Sequence, residues 1–354
     1  MPPTVEIVNH KNNVFRFNIL DINISLANAL RRTILSDILT VIFRTFPYDK
    51  NEATIHENTT RFNNEFLKQR LGCIPVHITD DKIDLDNYIV EIKKQNDTDT
   101  IQFVTTEDFK IKDVKTGKYV TEKENQKIFP PNSISKDYIL FARLRPFISK
   151  DLPGEKLHIT AKLSRGTAKE DGMYNVVSTC SYRMSPDEEK QDKEWAKIEK
   201  NKTDEDRTNW YNHDAKRYYK ADCFDFIVES VGVFKNNVIV KKALDVLVGK
   251  FQFVIDNPIK MTKSLTTIPN SFDIKLENED YTIGKCIEYQ LNADHYSDNK
   301  ILNYVGFKKF HPHDSHSIIR VGFLEPTEKD AVVKMCKEAC TKLIATFNEL
   351  KKQF

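Results

Sequence analysis

Polar and apolar positions alternate early in the chain. Phe15, Phe17 and Ile19 are separated by Arg16 and Asn18, which predicts a half-buried strand. Asn23 or Ser25 can cap the next element. Leu26, Ala27, Leu30, Ile34, Ile38 and Val41 then recur at helical spacing, with Asn28, Arg31, Arg32 and Ser36 on another side. An amphipathic helix with a wide apolar face is expected, and Pro47 comes shortly after it. The pattern returns late in the chain. Phe224, Phe226 and Val228 alternate with Asp225 and Glu229 as a strand, and Val240, Ala243, Leu244, Leu247, Phe251 and Val254 form a second helical stripe. Asp256–Asn270, with Pro258 and Pro269, reads as a linker. Beyond it the sequence predicts a strand through Phe272, Ile274 and Leu276, a helix from Thr282, two strands around Val305 and Ile318–Phe323, and a last helix. Thr327-Glu-Lys-Asp330 gives that helix a capping-box-like start, and Val332, Met335, Ala339, Leu343, Phe347 and Leu350 are its stripe.

Phe15, Phe17 and Ile19 align with Phe272, Ile274 and Leu276 at a constant offset. The same offset places Ser25-Leu26-Ala27 on Thr282-Ile283-Gly284 and Leu30 on Ile287. A strand–loop–helix unit therefore occurs twice, each copy followed by further strands and an apolar-striped helix. Two such units can bury their stripes against each other as a pseudo-two-fold pair. Leu30, Ile34, Ile38, Ile283, Ile287, Leu343 and Phe347 are the expected core of that pairing.

Residues 48–222 differ in character, being rich in Asp, Lys, Asn and Thr. Short strand-like runs stand at Ile101–Thr105, Tyr138–Leu144, Lys156–Leu163 and Val176–Arg183, punctuated by Pro130–Pro131 and Pro153–Gly154. Ser185–Lys220 is the most polar stretch and is expected to be a solvated insertion. Its exceptions are Trp195, Trp210, Tyr211, Tyr218 and Tyr219, candidate partner anchors.

A length of 354 residues allows two or three domains. The 54 Lys and Arg nearly balance the 52 Asp and Glu, leaving +2, so binding nucleic acid by backbone neutralisation alone is not expected. No basic start followed by an apolar run opens the chain, and no run reaches the roughly 18 apolar residues of a membrane span. The six cysteines never form Cys-x-x-Cys, which argues against a disulfide framework or a Cys-based zinc site and for a reducing compartment. The Asn-x-Thr sequons at Asn58, Asn96 and Asn201 then carry no weight.

His311-Pro-His313-x-x-His316 is the one metal-like cluster, but it lies between two strand patterns, where polar turn residues belong, with only Asp314 to complete a shell. Cys336 and Cys340 share a helix face beside the apolar stripe and read as small core residues. Gly249-Lys250 lacks the upstream glycine of a phosphate loop, and no nucleophile elbow or Asp-x-Asp motif occurs. The inventory is that of a binding or assembly protein. Arg31 and Arg32, adjacent beside a broad apolar face, could pin a partner's carboxylates or carbonyls, or could simply solubilise the helix.

These segments resemble the alpha-like assembly subunits of multisubunit DNA-directed RNA polymerases. Ser25-Leu-Ala-Asn-Ala-Leu-Arg-Arg-Thr-Ile-Leu-Ser36 is similar to the family's first-helix motif. Glu57-Asn-Thr-Thr60 followed by Arg70-Leu-Gly-Cys-Ile-Pro75 is similar to its Asn-Thr-Ser … Arg-Leu-Gly-x-Ile-Pro signature, and Ser164-Arg-Gly-Thr-Ala-Lys-Glu170 to its Lys-Gly-x-x-Lys-Glu loop. Phe224-Asp-Phe-Ile-Val-Glu-Ser-Val-Gly232 resembles the return strand of the third-largest subunit of polymerase II and the archaeal D subunit. Glu279-Asp-Tyr-Thr-Ile-Gly284, Val305-Gly-Phe and His316-Ser-Ile-Ile-Arg320 resemble the small partner, the eleventh polymerase II subunit or archaeal L; Lys285 stands where that family usually has Asn. The family's cysteine cluster after the Ile-Pro motif is missing, and Asp171 replaces a family His after Lys169-Glu170.

The resemblance implies an α+β fold: two alpha-like dimerisation modules paired as an intramolecular pseudo-heterodimer, the first interrupted by a mainly β insert. Residues 1–47 and 223–268 would be the first module, 48–222 the insert, and 269–354 the second module. It implies a non-catalytic assembly platform for the two largest polymerase subunits, which also docks small zinc-bearing subunits. Nucleic acid would be met only through the complex, with no cofactor and no membrane. Asn28, Arg31, Arg32, Asn58, Thr59, Arg70, Gly72, Arg165 and Gly166 carry over as subunit-interface residues. A single-chain fusion resembles those of large cytoplasmic DNA viruses, which would place it in infected cytoplasm and the virion; otherwise the nucleus is expected. The alternative, of another class, is a stand-alone nucleic-acid-binding factor built on Lys-rich faces and exposed aromatics.

Overall fold

The computed structural model describes residues 2–354 apart from Asn12, Asp81, Lys150, Asn201, Leu265 and Thr266. The Asn201 sequon and part of the expected linker thus lie outside the described residues. The chain begins with β1 (Thr4–Lys11), β2 (Val14–Leu20), α1 (Ile24–Ser36), β3 (Thr40–Ile42), β4 (Ala53–Asn58) and α2 (Asn64–Gly72). It continues with β5 (Tyr88–Gln95), β6 (Gln102–Thr105), β7 (Phe109–Asp113), α3 (Glu122–Ile128), β8 (Leu140–Leu144), β9 (Lys156–Lys162) and β10 (Ser164–Gly166). Then come β11 (Val177–Pro186), α4 (Glu188–Ile198), α5 (Asp204–Asn212), β12 (Tyr219–Ser230) and α6 (Asn236–Asp256). The last part holds β13 (Lys260–Lys263), β14 (Ser271–Glu277), α7 (Tyr281–Leu291), β15 (Leu302–Lys308), β16 (His316–Phe323) and α8 (Lys329–Lys352). The mixture of helices and antiparallel sheets is an α+β fold.

Two compact units result. The larger consists of Met1–Leu35, Thr179–Glu229 and Asn236–Phe354; the smaller consists of Ser36–Ser178 and Ser230–Lys235. These bounds differ from the expected insert at 48–222. Residues 179–222 go with the larger unit because β11 lies beside β12 in its sheet.

The larger unit contains the repeat in full. Its sheets run β1-β2-β12-β11 and β13-β14-β16-β15, the same order twice. In the first, Phe15, Phe17 and Ile19 face Val228, Phe226 and Phe224; in the second, Phe272, Ile274 and Leu276 face Val321, Ile319 and Ser317. Asp21 and Asn278, at the same offset, both turn the chain in the left-handed region, at φ 56° each. The Asn23 carboxamide then accepts from the Ser25 N–H at 2.8 Å, and the Asp280 carboxylate from the Thr282 N–H at 2.9 Å. Strand, turn, cap and helix start therefore coincide residue for residue between the two copies. Leu30, Ile34, Ile283, Ile287, Leu343 and Phe347 are completely buried; Ile38, also expected in this core, is buried within the smaller unit instead. Removing each such side chain from water contributes about 1.5–3 kcal/mol. Helices α6 and α8 pack together, with the Phe251 and Phe347 rings stacked at 5.9 Å.

The smaller unit's main sheet runs β4-β9-β5-β7, and it also holds a β6–β8 pair and a β3–β10 pair. Phe43, Phe109, Phe129 and Phe141 lie in one core with Leu67, Leu71, Val90 and Ile159.

Five local expectations change. The first helix ends at Ser36, whose carbonyl accepts from the Lys169 N–H at 2.8 Å; Val41 belongs to β3, paired with Arg165 of β10. A strand precedes the one expected first, since β1 pairs with β2. The expected linker contains β13, the edge strand against β14. The last helix begins at Lys329 behind Glu328 without a side-chain cap, and Thr327 donates instead to the Glu325 carbonyl. Finally, the polar stretch 185–220 folds rather than being a solvated insertion. Asp187 and Thr203 cap α4 and α5, and Trp195, 7% exposed, gathers Trp210 and Tyr211 at 5.5 and 6.2 Å. Three aromatic rings supply the apolar area that the composition otherwise lacks.

Candidate subunit interface

On α1, Arg31 donates from Nε to Asn28 Oδ1 at 3.0 Å. Arg32 turns to the second copy: Nη2 donates to Asp280 Oδ2 at 2.7 Å and Nε to Thr282 Oγ1 at 2.8 Å. The Asp280 carboxylate thus caps α7 and receives a guanidinium from α1 together. The positions of Asn28 and Arg31 recur in α7 as Lys285 and Glu288, joined at 2.5 Å, so the same i,i+3 pair reappears with reversed charge at its second member. Glu288 also accepts from the Phe307 N–H at 3.0 Å. Gly284 has no room for a Cβ, which would meet the Phe307 ring at 2.0 Å. Further ties within the larger unit join Lys351 to Asp245 at 2.5 Å, and Gln353 to Val5 and Pro3 at 2.7 and 2.8 Å.

In the smaller unit, most motif residues hold the fold. Asn58 organises the turn after β4: its Nδ2 donates to the Phe62 carbonyl and Asn64 Oδ1, and its Oδ1 accepts from Thr60. Thr59 exchanges backbone and hydroxyl hydrogen bonds with Lys156. Arg70 donates from Nε and Nη2 to the carbonyls of Phe141 and Leu140 at 2.8 and 2.7 Å. A Cβ on Gly72 would meet Met173 Sδ at 2.5 Å. Arg165 donates to the Ile83 carbonyl and offers its own carbonyl to Arg44. Arg44 also pairs with Glu170 at 2.6 Å, and that hydrogen bond raises its pKa further above the ordinary guanidinium value. A Cβ on Gly166 would meet Ile42 Cδ1 at 2.5 Å.

Sequence reasoning passed over three exposed groups beside this motif: Arg61, Arg143 and Arg145, which with Arg70 surround a cavity of about 500 Å³. The signal was present in Ala142-Arg143-Leu144, where the strand turns arginine outward between two buried residues, with Arg145 directly after its end.

Burial raises the Cys286 thiol, and the hydrogen bond with Cys336 followed by burial raises that of Cys340, so both are protonated at neutral pH. Burial likewise pushes Cys180 up to about 12. His311 Nδ1 accepts from the His313 N–H at 3.1 Å, and the His311 N–H donates to Asp314, as in a turn. Among the described residues no group of three His, Cys, Asp or Glu is arranged to hold a metal ion. None of their helices is long and apolar enough to cross a membrane.

The RPAC1 subunit of DNA-directed RNA polymerases I and III from Bos taurus is 26% identical over 309 residues, covering 71% of this chain and 83% of the relative. The Homo sapiens protein of the same name matches to the same extent. The DNA-directed RNA polymerase subunit Rpo3 of Pyrococcus furiosus is 34% identical over 82 residues, 23% of this chain and 29% of that one. Residues 16–251, running from β2 through α6, match the RNA polymerase Rpb3/Rpb11 dimerisation domain, and the chain belongs to that family.

Proposed function

We propose that the chain is a non-catalytic assembly subunit of a DNA-directed RNA polymerase in which the family's two dimerisation partners are fused. The portion from β2 through α6 is the counterpart of the larger partner, and residues 269–354, with β13 at their sheet edge, stand in for the smaller. The observation that carries this reading is the repeat: β2, the left-handed turn, the cap and α1 recur at one offset as β14, turn, cap and α7, in sheets of identical order. A module with no second layer of its own to cover its apolar stripe needs another module to cover it. The two largest polymerase subunits and small zinc-bearing subunits are the proposed partners, nucleic acid being reached through the complex. The candidate interface residues are Asn28, Arg31 and Arg32 on α1, Arg32 being held by Asp280 as well, and, in the smaller unit, Asn58, Thr59, Arg70, Gly72, Arg165 and Gly166. The single-chain fusion is the ground for a viral source, with work in infected cytoplasm and virion; a cellular source implies the nucleus.

The test is to insert a protease site between residues 264 and 268 and cleave. The two fragments should co-migrate on gel filtration, and Leu343→Asp should separate them, because a buried unpaired carboxylate costs several kcal/mol. Fragments that part without any substitution would refute the paired-module reading.

A further inference from the structure

The cavity beside the Asn58 turn has two kinds of wall. Phe62, Ile101, Phe141 and Leu144 form the apolar one, and Phe62 and Ile101 remain 39% and 57% exposed. The other is arginine. Arg145 pairs with the buried Glu155, but among the described residues Arg61, Arg70 and Arg143 have no carboxylate partner. Arg70 directs two of its donors at backbone carbonyls and lies 5.6 Å from the Phe62 ring; Arg143 lies 5.6 Å from the ring of Phe103, itself half exposed. Cation–π contact holds these guanidinium planes in place while leaving most of their donors open. Uncompensated positive charge around an open apolar hollow is a surface built to be covered.

We propose that this groove receives an acidic segment of a partner polypeptide. One aromatic or aliphatic side chain seats against Phe62 and Ile101, and flanking carboxylates take the forks of Arg61 and Arg143. The proposal rests on the assembly-subunit reading, since it takes the occupant to be another protein of the complex. Charge complementarity selects the occupant. Guanidinium groups pair bidentately with carboxylates. A nucleic-acid strand would want cations along a stripe, whereas these ring one hollow on a chain of net charge +2.

The experiment uses the full chain and a short fluorescein-labelled peptide of Glu and Asp around one central Phe, read by fluorescence anisotropy at near-physiological salt. Saturable binding is expected. It should weaken at least roughly tenfold in the Arg61→Glu, Arg143→Glu double variant and in Phe62→Ala. Exchanging the peptide's Phe for Ser should weaken it likewise. Arg61 and Arg143 are exposed, so unchanged thermal melting is the check on folding, and Arg143→Ala alone serves where the double variant melts early. No saturation at millimolar peptide, equal binding by all variants, or tighter binding of a single-stranded oligonucleotide through the same arginines would each overturn the proposal. Co-migration of the cleaved halves involves none of these residues, so the two failures are read separately.

Discussion

The bridge from Arg32 to Asp280 makes a demanding test of how the two copies are joined. Its side chains are 35% and 31% exposed and meet at 2.7 Å, with a second contact from Arg32 to Thr282 at 2.8 Å. A fully exposed pair would contribute about 0.2–1 kcal/mol, and breaking a fully buried one would cost about 3–5 kcal/mol. With a third of each group in water, a coupling of about 1 kcal/mol is expected between the two side chains, and Arg32→Ala should cost about 1–2 kcal/mol in all. Asp280→Asn retains an oxygen to cap α7 and loses only the charge. Asp280→Ala also loses the cap, worth about 1 kcal/mol more. Urea unfolding of the full chain, the Asp280→Asn and Arg32→Ala variants and their combination gives the coupling as a double-mutant cycle. A value within the roughly 0.3–0.5 kcal/mol expected of unconnected sites would refute the bridge. The same variants separate two roles for Arg32. A residue serving only to hold a partner would leave the urea midpoint of the isolated chain unchanged on truncation and lose the partner in a pull-down.

Trp195→Ala should cost about 3 kcal/mol and melt α4 and α5 locally, seen as protease cutting within residues 188–212 while the β-sheet signal persists; full resistance would contradict the aromatic anchor. Gly166→Val should lower stability by about 1–3 kcal/mol, because the new side chain meets Ile42 and then the Tyr174 ring, and an unchanged melting temperature would mean this corner has slack. His77, held neutral by burial with Nδ1 at 3.2 Å from the Ile128 carbonyl, titrates below the ordinary imidazole value of about 6.5. The unfolded chain then binds the extra proton first, so this contribution is complete above that value and is lost as pH falls through and below it. Urea midpoints between pH 5 and 7.5 should slope more steeply in the wild type than in His77→Asn, and identical slopes would exclude His77 as the cause.

What was legible in the sequence was local. Alternation through Phe15, Phe17 and Ile19, the cap at Asn23 and the stripe of α1 depend on neighbours within one or two turns, and both copies of the unit obey those rules. β1 escaped because it is exposed along almost its whole length and shows no alternation. β13 escaped because a four-residue edge strand with lysine at both ends looks like a linker. Composition hid α4 and α5, although Thr203 with Asp206 is a capping box that could have marked the second helix. The target of Arg32 was out of reach for another reason: Asp280 stands 248 residues away, and no local rule connects them. Much the same holds for Arg70, whose partners on β8 are 70 and 71 residues distant.

The repeat is a framework whose two copies have diverged along one side of their helices. Backbone, turn and cap coincide, because any departure there would cost the strand–helix geometry. On the half-buried side of the helix Asn28 and Arg31 in one copy become Lys285 and Glu288 in the other, with the same spacing and a reversed charge at the second member. Arg32, in turn, corresponds to Tyr289, so the bridge to Asp280 exists in one direction only. A partner carboxylate suited to Arg31 would meet the paired Lys285 and Glu288 in the second copy and find no such attraction. On the assembly-platform reading, a pseudo-two-fold pair would otherwise offer two equivalent docking faces and could take either large subunit on either side. On that reading, a change of charge on a shared frame would remove the ambiguity while leaving the buried Leu30, Ile34, Ile287 and Leu343 undisturbed.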